Sequence, residues 1–256
     1  MPYQYRIGTY EISQNAIDKA TASGMANVTA GAWSGNQPAA FIGWYEAAAF
    51  VNWLNTSSGY QAAYNLTFTT SWSMTLWNNN NAWTLGGTNL YRHKDAHYFL
   101  PSEHEWYKAA YYNPAGSSYF LYPTASSTPP TALSSGTNAS TAVYLQAIDQ
   151  GPAEVDIAGG LSPYRTMAQG GNVAEWTETA FDGINNGPSE ARALRGGDWN
   201  SGTSNLRSSV RGFIGGPSSS GDGFTGFRVA SVPEPSTYAL LAMSAAGALW
   251  WARRRK

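Results

Sequence analysis

Cysteine is absent from the 256-residue sequence. Its absence excludes disulfide bonds, thiolate metal ligands and a cysteine nucleophile. Charged residues are also scarce, at 12%, whereas typical globular chains carry about 25%. The formal net charge is −1, so the sequence offers no basic surface for nucleic acid before its last four residues. We therefore expect neither thiol chemistry nor a nucleic-acid partner.

Aromatic residues and glycine are abundant instead, with 11 Trp, 16 Tyr and 27 Gly. The chain is long enough for one large domain with a substantial core. Because charges are few, most of the polar surface comes from Asn, Ser, Thr and Gln. This composition favours a secreted or cell-surface protein over a cytosolic enzyme.

Glycine turns and large aromatic residues alternate within residues 164–231. Tight turns of this kind use backbone angles that glycine reaches without strain, and they would direct the neighbouring rings into a core. The expected turns are at Gly170-Gly171, Gly196-Gly197 and Gly226. The expected core rings are those of Trp176, Trp199 and Phe227. Arginine can bond several backbone carbonyls at once, so we expect a structural role for Arg195, Arg207, Arg211 and Arg228.

Helix signals occur at three places in the first half of the chain. Ser13 is expected to cap a helix that ends near Ala22, with Ile17 and Ala20 facing inward. Residues 38–55 carry a continuous apolar stripe that predicts a second helix. Residues 99–112 predict a third, with a capping box formed by Ser102 and Glu105. Its predicted buried face comprises Trp106, Ala109 and Ala110.

The remaining segments are less regular. Residues 3–13 alternate loosely and are rich in Tyr and Ile, which predicts a strand. Residues 56–92 show no period, and NNNNAW within them reads as a loop. Residues 113–142 are rich in Ser, Thr and Pro, which predicts an irregular connection between the two halves.

Several motifs share their order with one known family. GGNVAEWTE, LRGGDW, LRSSVR and GFRVA follow one another after residue 169, with LPSEHEW and YRIGTYEIS upstream. This order resembles the formylglycine-generating-enzyme, or sulfatase-modifying-factor, family. The resemblance covers residues 1–231 as one domain. It implies an α+β fold of the C-type-lectin-like kind with much irregular structure.

The resemblance also suggests a calcium site. Gly171, Val173 and Glu175 match positions that supply two carbonyls and one carboxylate to a structural calcium ion in the family. Calcium binds six or more oxygen ligands, so carbonyls at a tight turn suit it. Ala168 departs from the family, which has an oxygen-bearing side chain there. The alternative is an ion pair between Glu175 and one of the arginines.

A second metal hypothesis rests on histidine. The chain has three histidines, His93, His97 and His104, which lie within twelve residues of one another. His93 and His97 would share a face if that segment were helical, a spacing that zinc and iron sites use. The alternative is a set of exposed histidines around a helix start.

Glu175 and Glu178 are better explained as ion-pair partners than as an acid–base pair.

The character of the sequence changes after Ser231. Pro233, Glu234 and Pro235 form a rigid break that begins a predicted tail over residues 232–256. Residues 238–252 carry no charge, and this length is short of the ~20 residues that span a bilayer comfortably. Lys256 follows a basic cluster, Arg253, Arg254 and Arg255.

This arrangement resembles the PEP-CTERM sorting signal of Gram-negative bacteria. The resemblance implies processing by an exosortase, transient attachment to the inner membrane through the tail, and delivery to the cell envelope or the extracellular space. Met1 lies almost at the first predicted strand, and no signal peptide precedes it. We therefore expect that the natural start lies further upstream.

Two functions from different classes follow. The first is a non-catalytic domain of a surface or matrix protein that binds a carbohydrate or a protein, with exposed Trp and Tyr near residues 72–98 as contacts. The second is a formylglycine-generating oxidase acting on sulfatases, or a histidine-metal oxidase of the same superfamily. The family's oxidase holds copper with two cysteines placed shortly after the LRGGDW block. Because this chain has no cysteine, copper is not expected.

Overall fold

The structure is a computed structural model, and it describes residues 2–31, 33–213, 215–217 and 221–233. Most of the predicted sorting tail, including Glu234, Pro235 and the Arg253–Arg255 cluster, lies outside the described residues. Within the part that is described, no helix is long and apolar enough to cross a membrane.

Three α-helices form where the sequence predicts them. They are α1 (Gln14–Ala22), α2 (Trp44–Ser57) and α3 (Glu103–Tyr111), and a short 3-10 helix covers Thr203–Leu206. The Ser13 hydroxyl accepts a hydrogen bond from Ala16 N and caps α1. The capping box of α3 is confirmed, since Ser102 Oγ accepts from Glu105 N at 3.3 Å and Glu105 Oε2 accepts from Ser102 N at 2.6 Å. The second helix begins later than residue 38, since residues 38 and 40 form bridges with Ser13 and Gly31 before the helix starts.

Short strands make up several small sheets. The strands are β1 (Arg6–Ile7), β2 (Asn65–Phe68), β3 (Trp72–Thr75), β4 (Ala82–Trp83), β5 (Asn89–His93), β6 (Tyr98–Phe99), β7 (Tyr112–Asn113), β8 (Ser118–Tyr119), β9 (Thr131–Leu133), β10 (Thr141–Val143), β11 (Ala174–Ala180), β12 (Arg192–Arg195), β13 (Gly212–Phe213), β14 (Thr225–Gly226) and β15 (Ala230–Ser231). The largest sheet has the order β13-β12-β11-β14, and a second has the order β1-β15-β6. The remaining sheets are pairs, among them the parallel pair β9 and β10. The architecture is therefore an irregular α+β fold.

The core lies between α2 and the central strand β11. Trp44 and Trp176 are 0% exposed, and each indole N–H donates to a backbone carbonyl, those of Thr177 and Ile42 respectively. A second cluster surrounds Trp199, which is 1% exposed. The prediction that Trp176 and Trp199 are core residues is confirmed.

Two segments differ from the sequence prediction. Residues 56–92, which show no period in the sequence, contain the antiparallel pair β2–β3 and most of the pair β4–β5. Of the predicted NNNNAW loop, residues 78–81 lead into a turn, whereas Ala82 and Trp83 form β4. The β2–β3 pair places Asn, Thr and Ser in its ladder, and such residues hide the alternation of polarity that marks a strand. Residues 113–142 likewise contain four short strands.

The predicted strand over residues 3–13 is only two residues long. Arg6 and Ile7 pair with β15, and the ladder then ends at a bend. The guanidinium of Arg228 takes up the next two carbonyls, since its Nη1 donates to Gly8 O at 2.9 Å and Thr9 O at 3.1 Å. These carbonyls are bonded by a side chain, so they do not continue a ladder.

Gly171 shows how closely the backbone segments pack. Its φ is +86°, and a Cβ there would overlap the carbonyl oxygen of Val143. We expect Gly171→Ala to lower the free energy of unfolding by about 2 to 3 kcal/mol. Two costs are summed in this value, the strain of an alanine at positive φ and the overlap of its Cβ with the backbone. Gly183 is the matched control, with φ +85° and nothing within 4 Å of a built Cβ.

Chemical denaturation of both variants measures this difference. Gly183→Ala carries the conformational strain alone and should cost about 1 kcal/mol. Equal costs for the two alanine variants would show that the approach to Val143 is unimportant.

Candidate binding cleft

A cleft of about 1170 Å³ opens beside the N-terminal half of α3. Its other walls are the turn before β5, the turn after β11, and the segment that follows the 3-10 helix. The lining side chains and backbone come from Pro2 and Tyr3, Trp83, residues 85–89, Arg92, Ser102–His104, Tyr107, Lys108, Tyr112, Tyr119, Thr179, residues 183–185, Arg195, Ser208, Ser209 and Arg211.

A buried ion-pair cluster forms the floor of this cleft. Arg92 is 1% exposed, and its Nη2 lies 3.0 Å from Glu105 Oε2 and 2.7 Å from Glu178 Oε2. Its guanidinium also lies 3.6 Å from the ring centre of Phe99. Burial opposes the charge on Arg92, but the two carboxylates outweigh it and raise its pKa. The pKa of Glu178 is raised, because the effect of burial exceeds the opposing effect of Arg92.

Glu103 forms one side wall with two arginines. Arg195 Nη2 and Arg211 Nε each lie 2.6 Å from Glu103 Oε1, and Arg211 Nη2 donates to Glu103 Oε2 at 2.7 Å. Burial favours protonation of Glu103, but the arginines outweigh it and hold its pKa below the usual range. The stabilisation from Glu103 is therefore present at neutral pH and lost as the pH falls through the lowered pKa.

Arg195 also fixes the backbone at the rim, as the sequence suggested for the arginines. Its Nη1 donates to Ser208 O at 2.8 Å and to Val210 O at 2.6 Å. Arg195 therefore links β12, α3 and the segment after the 3-10 helix. This segment presents Ser208 and Ser209 to the cleft.

Four tyrosines form a cluster at the far end of α3, with Tyr107, Tyr112 and Tyr119 at the cleft and Tyr164 beside them. The ring centres of Tyr107 and Tyr119 are 5.0 Å apart, and those of Tyr119 and Tyr112 are 5.2 Å apart. Tyr164 stacks on Tyr112 with an angle of 20° between the planes. Tyr119 is 50% exposed and Tyr164 is 43% exposed, so this tyrosine cluster presents ring surface to solvent.

The lining of the cleft is mainly aromatic, polar and cationic. Glu103 is the one carboxylate among its described lining residues, and both of its oxygens bind arginine. His104 also lines the cleft and is exposed. What the cleft offers is ring surface together with amide, hydroxyl and guanidinium groups, which can stack on and hydrogen-bond to a polar ligand.

A smaller recess of about 320 Å³ lies on the other side of Arg195 and Arg211. It contains Asp198 of the LRGGDW motif and Asp222. Burial raises the pKa of Asp198, whose carboxylate also accepts a hydrogen bond from Ser201 Oγ at 2.8 Å. Residues 200–211 therefore run between the two cavities, with serine and asparagine side chains facing them.

The predicted calcium ligands are held by other contacts. Glu175 is 0% exposed, and Arg228 lies 2.6 Å from each of its oxygens. Trp106 Nε1 also donates to Glu175 Oε2 at 2.8 Å. The ion pair that was the alternative to calcium is present in the structure. A calcium site at Gly171, Val173 and Glu175 stays a prediction, and it would have to displace Arg228.

The three histidines occupy different surroundings. His93 is buried beside the Trp77 ring, its Nδ1 accepts from Asp95 N, and burial lowers its pKa. His97 stacks on Tyr60 with ring centres 4.4 Å apart, and His104 is exposed on α3. Among the described residues, no group of three or more His, Cys, Asp or Glu side chains could hold a metal ion. The structure therefore does not bring the three histidines together, and metal binding by them stays a prediction.

The aromatic contacts predicted near residues 72–98 also need correction. Trp83 is 5% exposed and Tyr91 is 0% exposed, so neither presents a face to solvent. Tyr91 instead donates its hydroxyl to Gly187 O at 2.7 Å. Trp72, Trp77 and Tyr98 are half-buried, and the exposed rings of the tyrosine cluster are Tyr119 and Tyr164.

The order of motifs and the irregular α+β fold agree with one family. A profile of the sulfatase-modifying factor enzyme 1-like domain matches residues 4–232. The chain belongs to this family. A second profile, of the PEP-CTERM protein-sorting motif, matches residues 231–256. This motif is a sorting signal recognised by an exosortase, so it addresses this sulfatase-modifying-factor-like chain to the envelope or the extracellular space.

Solved structures show the same fold. Treponema denticola variable protein 1 has a TM-score of 0.60 and 22% identity over 90% of this chain and 84% of its own. CarF has a TM-score of 0.62 and 15% identity, covering 90% and 87% of the two chains. PvdO from Pseudomonas aeruginosa has a TM-score of 0.55 and 18% identity, covering 90% and 80%. No match was found among curated proteins.

Sequence reasoning missed the tyrosine cluster and Arg92. The tyrosines come from α3, β7, β8 and the turn at residue 164, which no local pattern connects.

The buried role of Glu11 was also missed. It is 3% exposed and accepts hydrogen bonds from Asn172 Nδ2 at 2.6 Å and Val173 N at 3.2 Å. An acidic residue between the apolar positions of an opening strand was the available signal for a buried role.

Proposed function

We propose that this chain is a non-catalytic member of its family that binds a carbohydrate in the cleft beside α3. The tyrosine cluster carries this proposal. Tyr119 and Tyr164 are exposed, the four rings lie next to one another, and Tyr107, Tyr112 and Tyr119 border a concave surface. Flat apolar ring faces can stack on the apolar face of a sugar, and a few well-placed polar groups fix its orientation.

Polar groups on the opposite wall support a sugar ligand. Thr88, Asn89 and Asn185 line the cleft across from α3, and Thr179 lines it at the start of the helix, where its hydroxyl accepts a hydrogen bond from Glu103 N at 2.9 Å. Asn185 Nδ2 donates to Asn89 Oδ1 at 2.8 Å, which holds the two loops together. Hydroxyl and amide groups held in this way can bond sugar hydroxyls without rearrangement, and such preorganisation favours binding.

The oxidase alternative conflicts with the composition of the chain. Copper chemistry in the family depends on two thiolates, and this sequence has no cysteine. The residues of 200–211 that line the cavities are Ser201, Asn205, Ser208, Ser209, Val210 and Arg211, and none of them offers a sulfur ligand. Conversion of cysteine to formylglycine in a sulfatase-motif peptide by the purified chain would contradict the non-catalytic proposal.

Filling the cleft tests the binding proposal. Ser209 is exposed and lines the cleft, whereas Ser204 is exposed and lies outside its lining. We expect the full-length chain to bind members of a glycan array, Ser209→Trp to lose that binding by at least about tenfold, and Ser204→Trp to keep it. A tryptophan at Ser209 would occupy the space of the ligand.

Thermal melting of both variants verifies that they fold. A Ser209→Trp protein that folds and still binds glycans with unchanged affinity would place the ligand elsewhere. Binding to no glycan, together with capture of a defined protein that Ser209→Trp abolishes, would assign the cleft to a protein partner instead.

A further inference from the structure

We infer that the cleft recognises an acidic polysaccharide, with Lys108 and Arg211 binding its carboxylate or sulfate groups beside the tyrosine cluster. This inference rests on the proposed function, because it names the class of carbohydrate. It is carried by the charges at the cleft, by two cationic groups with unused hydrogen-bonding capacity, and by the position of those groups next to exposed rings.

The lining around α3 carries excess positive charge. Arg195, Arg211 and Lys108 contribute three positive charges there, and Glu103 contributes one negative charge, which leaves a difference of two. Arg195 and Glu103 are each 8% exposed, so Arg211 and Lys108 are the cations that a ligand can reach. The buried floor is a separate unit, because Arg92 is paired with two carboxylates beneath the surface. The whole chain has a formal net charge of −1, so the positive excess is local to the cleft.

Lys108 is the first cation available to a ligand. It lies on α3 with its ammonium 5.9 Å from the ring centre of Tyr112, and it forms no ion pair with a described residue. His104 lies one helical turn earlier on the same face and is exposed. An anionic group bound at Lys108 would therefore have a second donor within reach.

Arg211 is the second available cation. Its Nε and Nη2 bind Glu103, while its Nη1 donates to no described residue. Glu103 is shared with Arg195, so one carboxylate neutralises two guanidinium groups. The unused N–H groups of Arg211 can form charge-assisted hydrogen bonds, which are stronger than those between neutral groups.

The geometry favours a polysaccharide over other polyanions. The ring centres of Tyr107 and Tyr119 are 5.0 Å apart and those of Tyr112 and Tyr119 are 5.2 Å apart, with 45° and 65° between the ring planes. Tyr119 is 50% exposed, so it offers ring surface to a sugar at the end of the cleft. Nucleic-acid binding depends on neutralising many phosphates, and an excess of two charges on an overall acidic chain is too small for that. Sugars that carry one acidic group per residue need fewer cations and can use the rings.

Methyl esters provide a matched test of the charge. The probes are oligosaccharides of uronic acids and the same oligosaccharides with their carboxylates methyl-esterified, together with sulfated and neutral glycans on one array. We expect the full-length chain to bind acidic members at least about tenfold more tightly than their neutral counterparts, because charged hydrogen-bond acceptors bind more strongly. We also expect the affinity for acidic members to fall as salt rises.

Lysine variants connect the charge preference to this site. Lys108→Gln should weaken binding of the acidic oligosaccharide about fivefold and leave binding of the methyl-esterified oligosaccharide unchanged. The substitution removes the positive charge but keeps most of the side chain. Lys108→Arg should retain the preference. Lys19 is exposed on α1 outside the cleft lining, so Lys19→Gln is the matched control and should bind as the parent protein does.

The outcomes separate this inference from the proposed function. Equal binding of acids and esters, or binding of neutral glycans alone, would overturn the inference and leave carbohydrate binding intact. A preference for acids that Lys108→Gln does not alter would also overturn it. Binding to no glycan would overturn both, and equal binding of a single-stranded DNA oligomer would show a general polyanion surface in place of sugar recognition.

Discussion

Replacing Arg228 with alanine is expected to lower the free energy of unfolding by about 3 to 5 kcal/mol, because it leaves a buried carboxylate without its partner. Arg228 and Glu175 are both 0% exposed, and the guanidinium binds both carboxylate oxygens at 2.6 Å. The same guanidinium donates to the carbonyls of Gly8, Thr9 and Met167. Arg228 therefore joins the first strand, the residues before the Gly170-Gly171 turn and the central sheet.

Urea denaturation of a double-mutant cycle measures this effect. Glu175→Gln combined with Arg228→Ala removes the unpaired charge, so the double variant should lose less stability than the sum of the two single variants. Arg207 is the matched control, because it is exposed and its side chain makes one hydrogen bond, to the Tyr122 hydroxyl. Arg207→Ala should cost less than about 1 kcal/mol. Similar costs at Arg228 and Arg207 would contradict a structural role for the buried pair.

Truncation of Trp176 to alanine should destabilise the protein by about 3 to 5 kcal/mol, since it removes a large buried ring from the core. Trp176 lies on β11, is 0% exposed, and donates its indole N–H to Ile42 O at 2.9 Å. The cavity left behind would lie between α2 and the main sheet. Ile42 O would also lose its partner, which adds to the cost.

Trp72 is a suitable control for this prediction. It is partly exposed on β3 and also donates its indole N–H to a carbonyl, that of Asn27. Trp72→Ala should cost less than about 2 kcal/mol, because less surface leaves the core. Thermal or chemical denaturation of the two variants compares them. A loss below about 1 kcal/mol at Trp176 would mean that the ring does not support the core.

The parts of the fold that depend on local patterns were predictable from the sequence. Ser102 and Glu105 form a capping box through three residues of chain, and the structure confirms both hydrogen bonds. The inward positions of α1, Ile17 and Ala20, are buried as their spacing predicts. The four motifs after residue 169 identified the family, because their order is specific.

The parts that depend on distant contacts were not predictable in the same way. Strand β2 pairs with β3 through polar residues that leave no alternation in the sequence. Arg92 meets Glu178, which lies 86 residues away, and no local pattern links them. The arginines of residues 195–228 were expected to bond backbone carbonyls, and Arg195 and Arg228 do so.

The candidate binding cleft likewise depends on contacts between residues that are distant in sequence. The histidines are close in sequence, but β5, the loop before β6 and α3 carry them to different surroundings. The tyrosines that meet at the cleft are spread over residues 107–164, and the turn of the β7–β8 hairpin brings Tyr119 back opposite Tyr112. A sequence pattern reports neighbours along one element, whereas this cleft is built from neighbours across several.

Hydrogen-exchange mass spectrometry of the full-length chain tests the central claim most directly. Exchange is measured with and without the array glycan that binds most tightly. The account predicts that the glycan slows exchange in residues 103–119, 83–89 and 179–185, which surround the cleft, and that Ser209→Trp abolishes this protection. Protection confined to a distant surface, such as the loop that exposes Leu145 and Ile148, would contradict the account.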